Sequence, residues 1–274
     1  MRIGSLHIHC FVWGSAGDPI AVLVHGNGGH ARWWDPLVPA LVPGWRLIVP
    51  DLRGHGASDW PEPPSYRLED FSADLLGVVD QLAPEPVVLV GHSMGGRVAA
   101  WCAAHSPERV RRLVLLDTRM GGVVPKIAQR WRGRIAGTRQ GRGYATRDAA
   151  LAAFRLVPDE SGVASDVLAQ LAEYAVHERG PGDWTFRFDR AVLSLDGDGA
   201  GELYSVLGRI HCRTLVMHGQ ASWVMDAAEA AVLRRAIPNC SVSTFPGGHH
   251  FFLAQPRAVG VALRRFIEGL EGPQ

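Results

Sequence analysis

Cysteine is scarce in this chain of 274 residues. The four, Cys10, Cys102, Cys212 and Cys240, are scattered and show no C-x-x-C spacing. They read as buried or partly buried thiols, which fits a reducing, cytoplasmic compartment. Charge of either sign is not in excess: 28 Lys and Arg stand against 27 Asp and Glu, a net of +1. No global field therefore draws the chain to nucleic acid or to a membrane surface. Long apolar runs are missing too. No stretch of eighteen apolar residues occurs, and Met1-Arg2 leads directly into polar and strand-like sequence with no signal-type apolar core. There is no internal repeat. What remains, 47% hydrophobic and 20% charged residues over this length, fits one large soluble domain.

The most informative stretch is Pro86–Gly96. A β-branched apolar run, Pro86-Val87-Val88-Leu89-Val90, ends in Gly91-His92-Ser93-Met94-Gly95, and an alanine-rich helical segment follows at Arg97–Ala104. This is strand, sharp turn, helix, with a serine at the apex, the pattern and context of a G-x-S-x-G nucleophile elbow. Side chains at Gly91 and Gly95 would collide with the neighbouring elements, and the tight turn projects Ser93 above the sheet edge. The first amides of the helix face the same space, which suits a developing negative charge.

Three further segments carry chemistry. Ala21–Val24 reads as a buried strand running into His25-Gly26-Asn27-Gly28-Gly29-His30, a loop whose glycines let backbone approach a ligand. The Asn27 amide is a candidate oxyanion donor, paired with the amide of Met94. Leu47–Pro50 reads as a strand entering Asp51-Leu52-Arg53-Gly54-His55-Gly56-Ala57-Ser58, where Asp51 and Arg53 are expected to satisfy loop backbone groups. Pro246-Gly247-Gly248-His249-His250 offers a histidine that can act as general base. Two adjacent histidines also admit a metal, but no third ligand stands at short spacing, so neither metal nor organic cofactor is expected.

Taken together, HGNGG (25–29), PDLRGHGASD (50–59), GHSMGG (91–96) and GGHHFFLAQP (247–256), in that order, resemble the α/β-hydrolase superfamily over nearly the whole chain. The resemblance implies that Ser93 is the nucleophile and that the Asn27 and Met94 amides form the oxyanion hole. In the family a proline follows the catalytic histidine by seven positions; counted back from Pro256, that histidine is His249 rather than His250. The chain departs from the pattern at the acid. Many members carry it three residues past the glycine that ends the penultimate strand, and here that residue is Ser222. The substitute is Asp117, at the end of the strand 110–116, as in a subset of esterase-like and dehalogenase-like members. Asp226 is the alternative.

Strands are expected at 20–25, 45–50, 86–91, 110–116, 213–219 and 241–246, with helices at about 34–42, 68–82, 95–105, 226–236 and 256–270. Such alternation predicts an α/β fold: a mostly parallel sheet with helices on both faces, flanked by an antiparallel strand near 6–13. Residues 1–119 and 209–274 would form the core domain. Residues 120–208, without strong strand signal and with helical stretches at 123–135, 147–156, 163–177 and 200–207, would form an inserted helical cap over Ser93. The cap opens with Lys126, Arg130, Arg132, Arg134, Arg139 and Arg142, either a solvated face or an entrance for an anionic substrate. Gly26, Trp33, Trp34, Trp131 and Trp223 are candidate pocket residues for a partly apolar substrate. The expected function is serine hydrolysis of an ester, thioester or lactone. A C–C bond hydrolase or lyase on the same residues is a second reading, and a non-catalytic ligand-binding protein of the same fold a third.

Overall fold

The computed structural model describes residues 1–121, 141–158, 162–194 and 200–270. A short hairpin of β1 (Arg2–Ile3) and β2 (Leu6–His7) precedes β3 (Cys10–Trp13). Then come β4 (Ile20–Val24), a 3-10 turn at Ala31–Leu37 with the short helix α1 (Val38–Leu41), β5 (Arg46–Pro50), α2 (Leu68–Leu82), β6 (Val87–His92), α3 (Met94–His105) and β7 (Val110–Leu116). The expected helix at 34–42 is thus 3-10 over its first half and a single α-helical turn over its second. Pro36 denies it the amide that an α-helical ladder would need.

The sheet resumes with β10 (Arg213–Gly219) and β11 (Cys240–Phe245), and the strand order is β11-β10-β7-β6-β4-β5-β3. All neighbours are parallel except β3, which runs antiparallel to β5 at the edge. Val22, Leu23, Ile48, Val88, Leu113, Val114 and Val216 are all buried, so residues on both sheet faces are covered. That is why these strands read as unbroken apolar runs rather than alternating ones. On one face lie α2 and α3, with Phe71, Leu75, Val98 and Cys102 in the core. On the other lie the Ala31–Leu37 turn and the C-terminal helices α8 (Phe251–Ala254) and α9 (Pro256–Glu268), with Trp34, Phe252, Leu263 and Phe266.

Between β7 and β10 the described elements are α4 (Arg147–Ala153), α5 (Ser165–Ala175), the antiparallel hairpin β8 (Val176–Gly180) and β9 (Asp183–Phe186), and α6 (Ala200–Val206). The hairpin lies in a stretch where no strong strand signal was expected. Its strands are short and carry His177, Glu178, Arg179 and Asp183, so they lack the apolar signature of a core strand. The turn residues Pro181-Gly182 were the legible cue. The insert packs on two core loops. Tyr174 Oη donates to Asp51 Oδ2 at 2.6 Å, His30 Nε2–H donates to the Leu171 carbonyl at 3.0 Å, and Gly56 N–H donates to the Arg187 carbonyl at 2.9 Å. Among the described residues, no helix is long and apolar enough to cross a membrane.

Candidate active site

Ser93 sits between β6 and α3 with φ 54° and ψ −118°. Among the described residues, only Ser93 and Asp117 (φ 45°) are non-glycine residues at positive φ. Conformations of this kind cost about 1–3 kcal/mol and persist only where the surroundings impose them. Here the surroundings are tight. A Cβ on Gly95 would lie 2.4 Å from the Val24 and His25 carbonyl oxygens, and one on Gly26 would lie 3.1 Å from Ser93 Cβ. The Gly26–Gly29 loop is therefore pressed against the serine.

Two neutral histidines hold that loop. His25 donates through Nδ1 to the Gly26 carbonyl (2.8 Å) and accepts the Leu52 amide at Nε2 (3.0 Å). His55 donates through Nδ1 to the Arg53 carbonyl (2.9 Å) and accepts the Gly28 amide at Nε2 (3.1 Å). Each ring uses one nitrogen as donor and one as acceptor, which only the neutral form can do. Burial pushes His25 below its ordinary value and His55 down to about 3. Asp51 completes the frame by accepting the amides of Ala31 (2.7 Å) and Ala57 (3.0 Å). Burial alone would raise its pKa, but hydrogen bonds from His9 and these amides, with the field of His25, hold the carboxyl well below the usual range. Arg53 makes a two-pronged contact with Asp74 (2.6 and 2.8 Å) and donates to the Ser65 carbonyl.

His249 and Asp117 meet next to the elbow: the carbonyl of Leu116, the residue before Asp117, accepts the Ser93 amide at 3.0 Å. His249 Nδ1–H donates to Asp117 Oδ2 at 2.6 Å, and both residues are buried. The His249 carbonyl accepts the Nε2–H of His92 at 3.1 Å, which ties the histidine loop to the residue before Ser93. Asp226 is elsewhere engaged: exposed, it caps α7 (Ala227–Ala236) by accepting the Glu229 amide at 2.8 Å. Ser222 was not singled out as part of the site, yet its Oγ stands 2.5 Å from Asp117 Oδ2. The signal was the missing carboxylate at that position, read as a loss rather than as a hydroxyl in a new role.

His250 packs against both His249 and His92, its ring 4.9 Å and 5.6 Å from theirs and 5.3 Å from that of Trp33. His92, His249 and His250 offer nitrogens that all lie within 4.8 Å of one another. Nitrogens on one tetrahedral zinc, bound at about 2.0–2.1 Å, stand roughly 3.3 Å apart. In addition, Asp117 takes the Nδ1 of His249 and the His249 carbonyl takes the Nε2 of His92. The trio fits a packed histidine cluster better than a metal site. Of the candidate pocket residues, Trp33 is buried beside Gly29, Trp34 is fully buried against Phe252, and Trp223 is 65% exposed. Trp131 lies outside the described residues, as do Lys126, Arg130, Arg132, Arg134 and Arg139. Arg142 stacks over Tyr144 at 5.5 Å.

Residues 19–256 match the family described as alpha/beta hydrolase fold. The chain belongs to the α/β-hydrolase family. Esterase Rv0045c of Mycobacterium tuberculosis is 30% identical to this α/β hydrolase over 97% of the present chain and 88% of its own. The 2-hydroxy-6-oxo-2,4-heptadienoate hydrolase of Pseudomonas putida is 42% identical, over 37% of each chain. Among solved structures, E-2-(acetamidomethylene)succinate hydrolase superposes with a TM-score of 0.84 at 25% identity, covering 97% of both chains. The present chain is accordingly a hydrolase of this superfamily.

Proposed function

We propose that this hydrolase cleaves an ester, thioester or lactone bond of a small, partly apolar substrate through Ser93, His249 and Asp117. In this reading His249 Nε2 takes the proton from Ser93 Oγ as the oxygen attacks the carbonyl. Asp117 holds the Nδ1–H tautomer and stabilises the imidazolium. The oxyanion rests on the amides of Asn27 and Met94. His249 then protonates the leaving group, and water repeats the sequence on the acyl-enzyme. The observation that carries the reading is the 2.6 Å contact between His249 Nδ1 and a buried Asp117, set beside a serine in a strained turn. In the oxyanion loop, the amides of Gly28 and Gly29 are turned to His55 and to the Gly26 carbonyl, which favours Asn27 as donor. The four free thiols accord with action in the cytoplasm.

Residues 120–208 serve in this reading as a cap over the site. Phe188 supports it: its ring lies 5.0 Å from that of His55, and a Cβ on Gly28 would come within 4.0 Å of it. An apolar ring thus borders the oxyanion loop, where a substrate's acyl part would lie.

The test is intact-mass analysis after treatment with a fluorophosphonate, run beside a panel of p-nitrophenyl esters of rising acyl length. A single adduct that vanishes in Ser93→Ala, with turnover falling by several orders of magnitude, is the expected result. An adduct elsewhere, or none on active protein, sinks the assignment. A second reading, cleavage of a C–C bond beside a carbonyl on the same residues, is favoured by the local likeness to the heptadienoate hydrolase. Poor turnover of every ester, with release of a carboxylic acid from a vinylogous 1,5-diketone, would select it.

A further inference from the structure

We infer that Ser222 is a positioning residue that sets how strongly Asp117 holds His249. The inference rests on the proposed roles of those two residues. Its ground is the hydrogen-bond count at one hydroxyl. Ser222 Oγ accepts the amide protons of Val224 at 3.1 Å and of Met225 at 3.3 Å. A hydroxyl has two acceptor sites and one proton. With both acceptor sites taken by backbone amides, the proton has one direction left, and Asp117 Oδ2 lies there at 2.5 Å. The same oxygen receives His249 Nδ1–H at 2.6 Å, while Asp117 Oδ1 receives the Gly219 amide at 3.0 Å. Asp117 is therefore bound by three donors, and Ser222 and His249 compete for one oxygen.

The backbone makes this arrangement rigid. Gln220 N–H donates to the Phe245 carbonyl and Ala221 N–H to the Gly247 carbonyl, each at 2.8 Å, and Ser222 N–H closes the turn on the Gly219 carbonyl at 3.1 Å. A Cβ on Gly219 would lie 2.2 Å from the Gly248 oxygen. The turn bearing Ser222 is thus laced to the loop bearing His249, and neither partner can drift from Asp117 alone.

The consequence has a sign. A donor to a carboxylate stabilises its charge and weakens it as an acceptor for others. Without the Ser222 proton, Asp117 pulls harder on the imidazole and favours its protonated form. The acidic limb of the activity profile then moves to higher pH. A serine that only held its loop together would lower stability and leave that limb in place.

The experiment compares wild type, Ser222→Ala, Ser222→Cys and Ser222→Thr in the full chain. Two readouts are taken: kcat/KM against pH with p-nitrophenyl acetate, and the downfield proton resonance of His249 Nδ1–H by NMR. For Ser222→Ala the acidic limb should rise by about half a pH unit and the resonance should move further downfield. Threonine, which keeps the hydroxyl, should restore both. Cysteine, a weaker donor, should fall between and serves if the alanine variant does not fold. A folded Ala or Cys variant with both readouts unmoved overturns the inference. If p-nitrophenyl acetate is not turned over, the functional reading is at fault, and the NMR readout still decides the role of Ser222.

Discussion

At the scale of single residues, two aspartates near the C-terminal edge of the sheet have opposite expected effects. Asp117 is buried and receives His249, Ser222 and Gly219. Asp117→Asn replaces an acceptor with a group that can present an N–H to Nδ1, so the imidazole turns to the wrong tautomer. The fold should persist while kcat falls by up to ~10⁴. Asp226 touches none of this. Asp226→Asn should leave kcat within about twofold and the helix start nearly as stable, since asparagine caps as well as aspartate. Steady-state kinetics and thermal melts on the two variants check the pair. If Asp226→Asn were the dead variant, the acid would be misassigned. The meeting of His249 with Asp117 was legible in the chain, His249 from its spacing to Pro256 and Asp117 from its place at a strand end where the usual acid position holds Ser222. Ser222 was not, because a serine in a loop carries no pattern, and its meaning depends on a residue 105 positions away.

At the scale of elements, the sheet was readable and the insert less so. β4, β6 and β7 are buried, and burial from both sides leaves a continuous apolar run in the sequence. The β8–β9 hairpin is held by its turn, and the insert around it by contacts from α5 and Arg187 to core loops; neither writes hydrophobic periodicity. Those contacts matter because they end on the frame of the Gly26–Gly29 loop, the proposed oxyanion loop. Asp51 joins three segments: Ala31 after that loop, Ala57 in the following one, and Tyr174 on α5. Burial and the Asp51 charge both push the Tyr174 hydroxyl up, so it stays a donor. Tyr174→Phe removes a hydrogen bond to a charged group, a loss of about 1.5–3 kcal/mol. Urea denaturation should register it as a lower midpoint. Because Asp51 keeps both amides, kcat/KM should fall by less than tenfold. A double-mutant cycle with Asp51→Asn would show a coupling near zero if the contact carries no energy.

At the scale of the whole molecule, the histidines set a limit on acid stability. Burial pushes His30 and His55 from the ordinary 6.5 to about 3, and also lowers His25 and, well below its usual value, His92. Above about pH 6.5 folded and unfolded chains are alike at these sites. Below it the unfolded chain takes up protons that the folded chain refuses, so stability is lost as pH falls from about 6.5 toward 3. Each such histidine contributes up to about 1.4 kcal/mol per pH unit. Asp51, held low, loses its contribution only below the usual carboxylate value of 3.8, beneath most of that window. Urea midpoints at pH 7, 6 and 5 should therefore drop steeply, and a flat series would show that these rings titrate freely.

The strand order has a consequence in time as well as in space. β10 lies between β7 and β11 in the sheet, though it comes late in the chain. The His249 loop follows β11, so it cannot reach Asp117 until β10 has slotted against β7 and β11 against β10. Ser93 and Asp117 are synthesised and can fold long before their histidine exists; the contact closes a loop of 132 residues. Such long-range closure is slow in folding. If His249 and Asp117 act as proposed, turnover is a clock for the last strands to dock: a nascent or refolding chain should stay chemically silent until its sheet is complete.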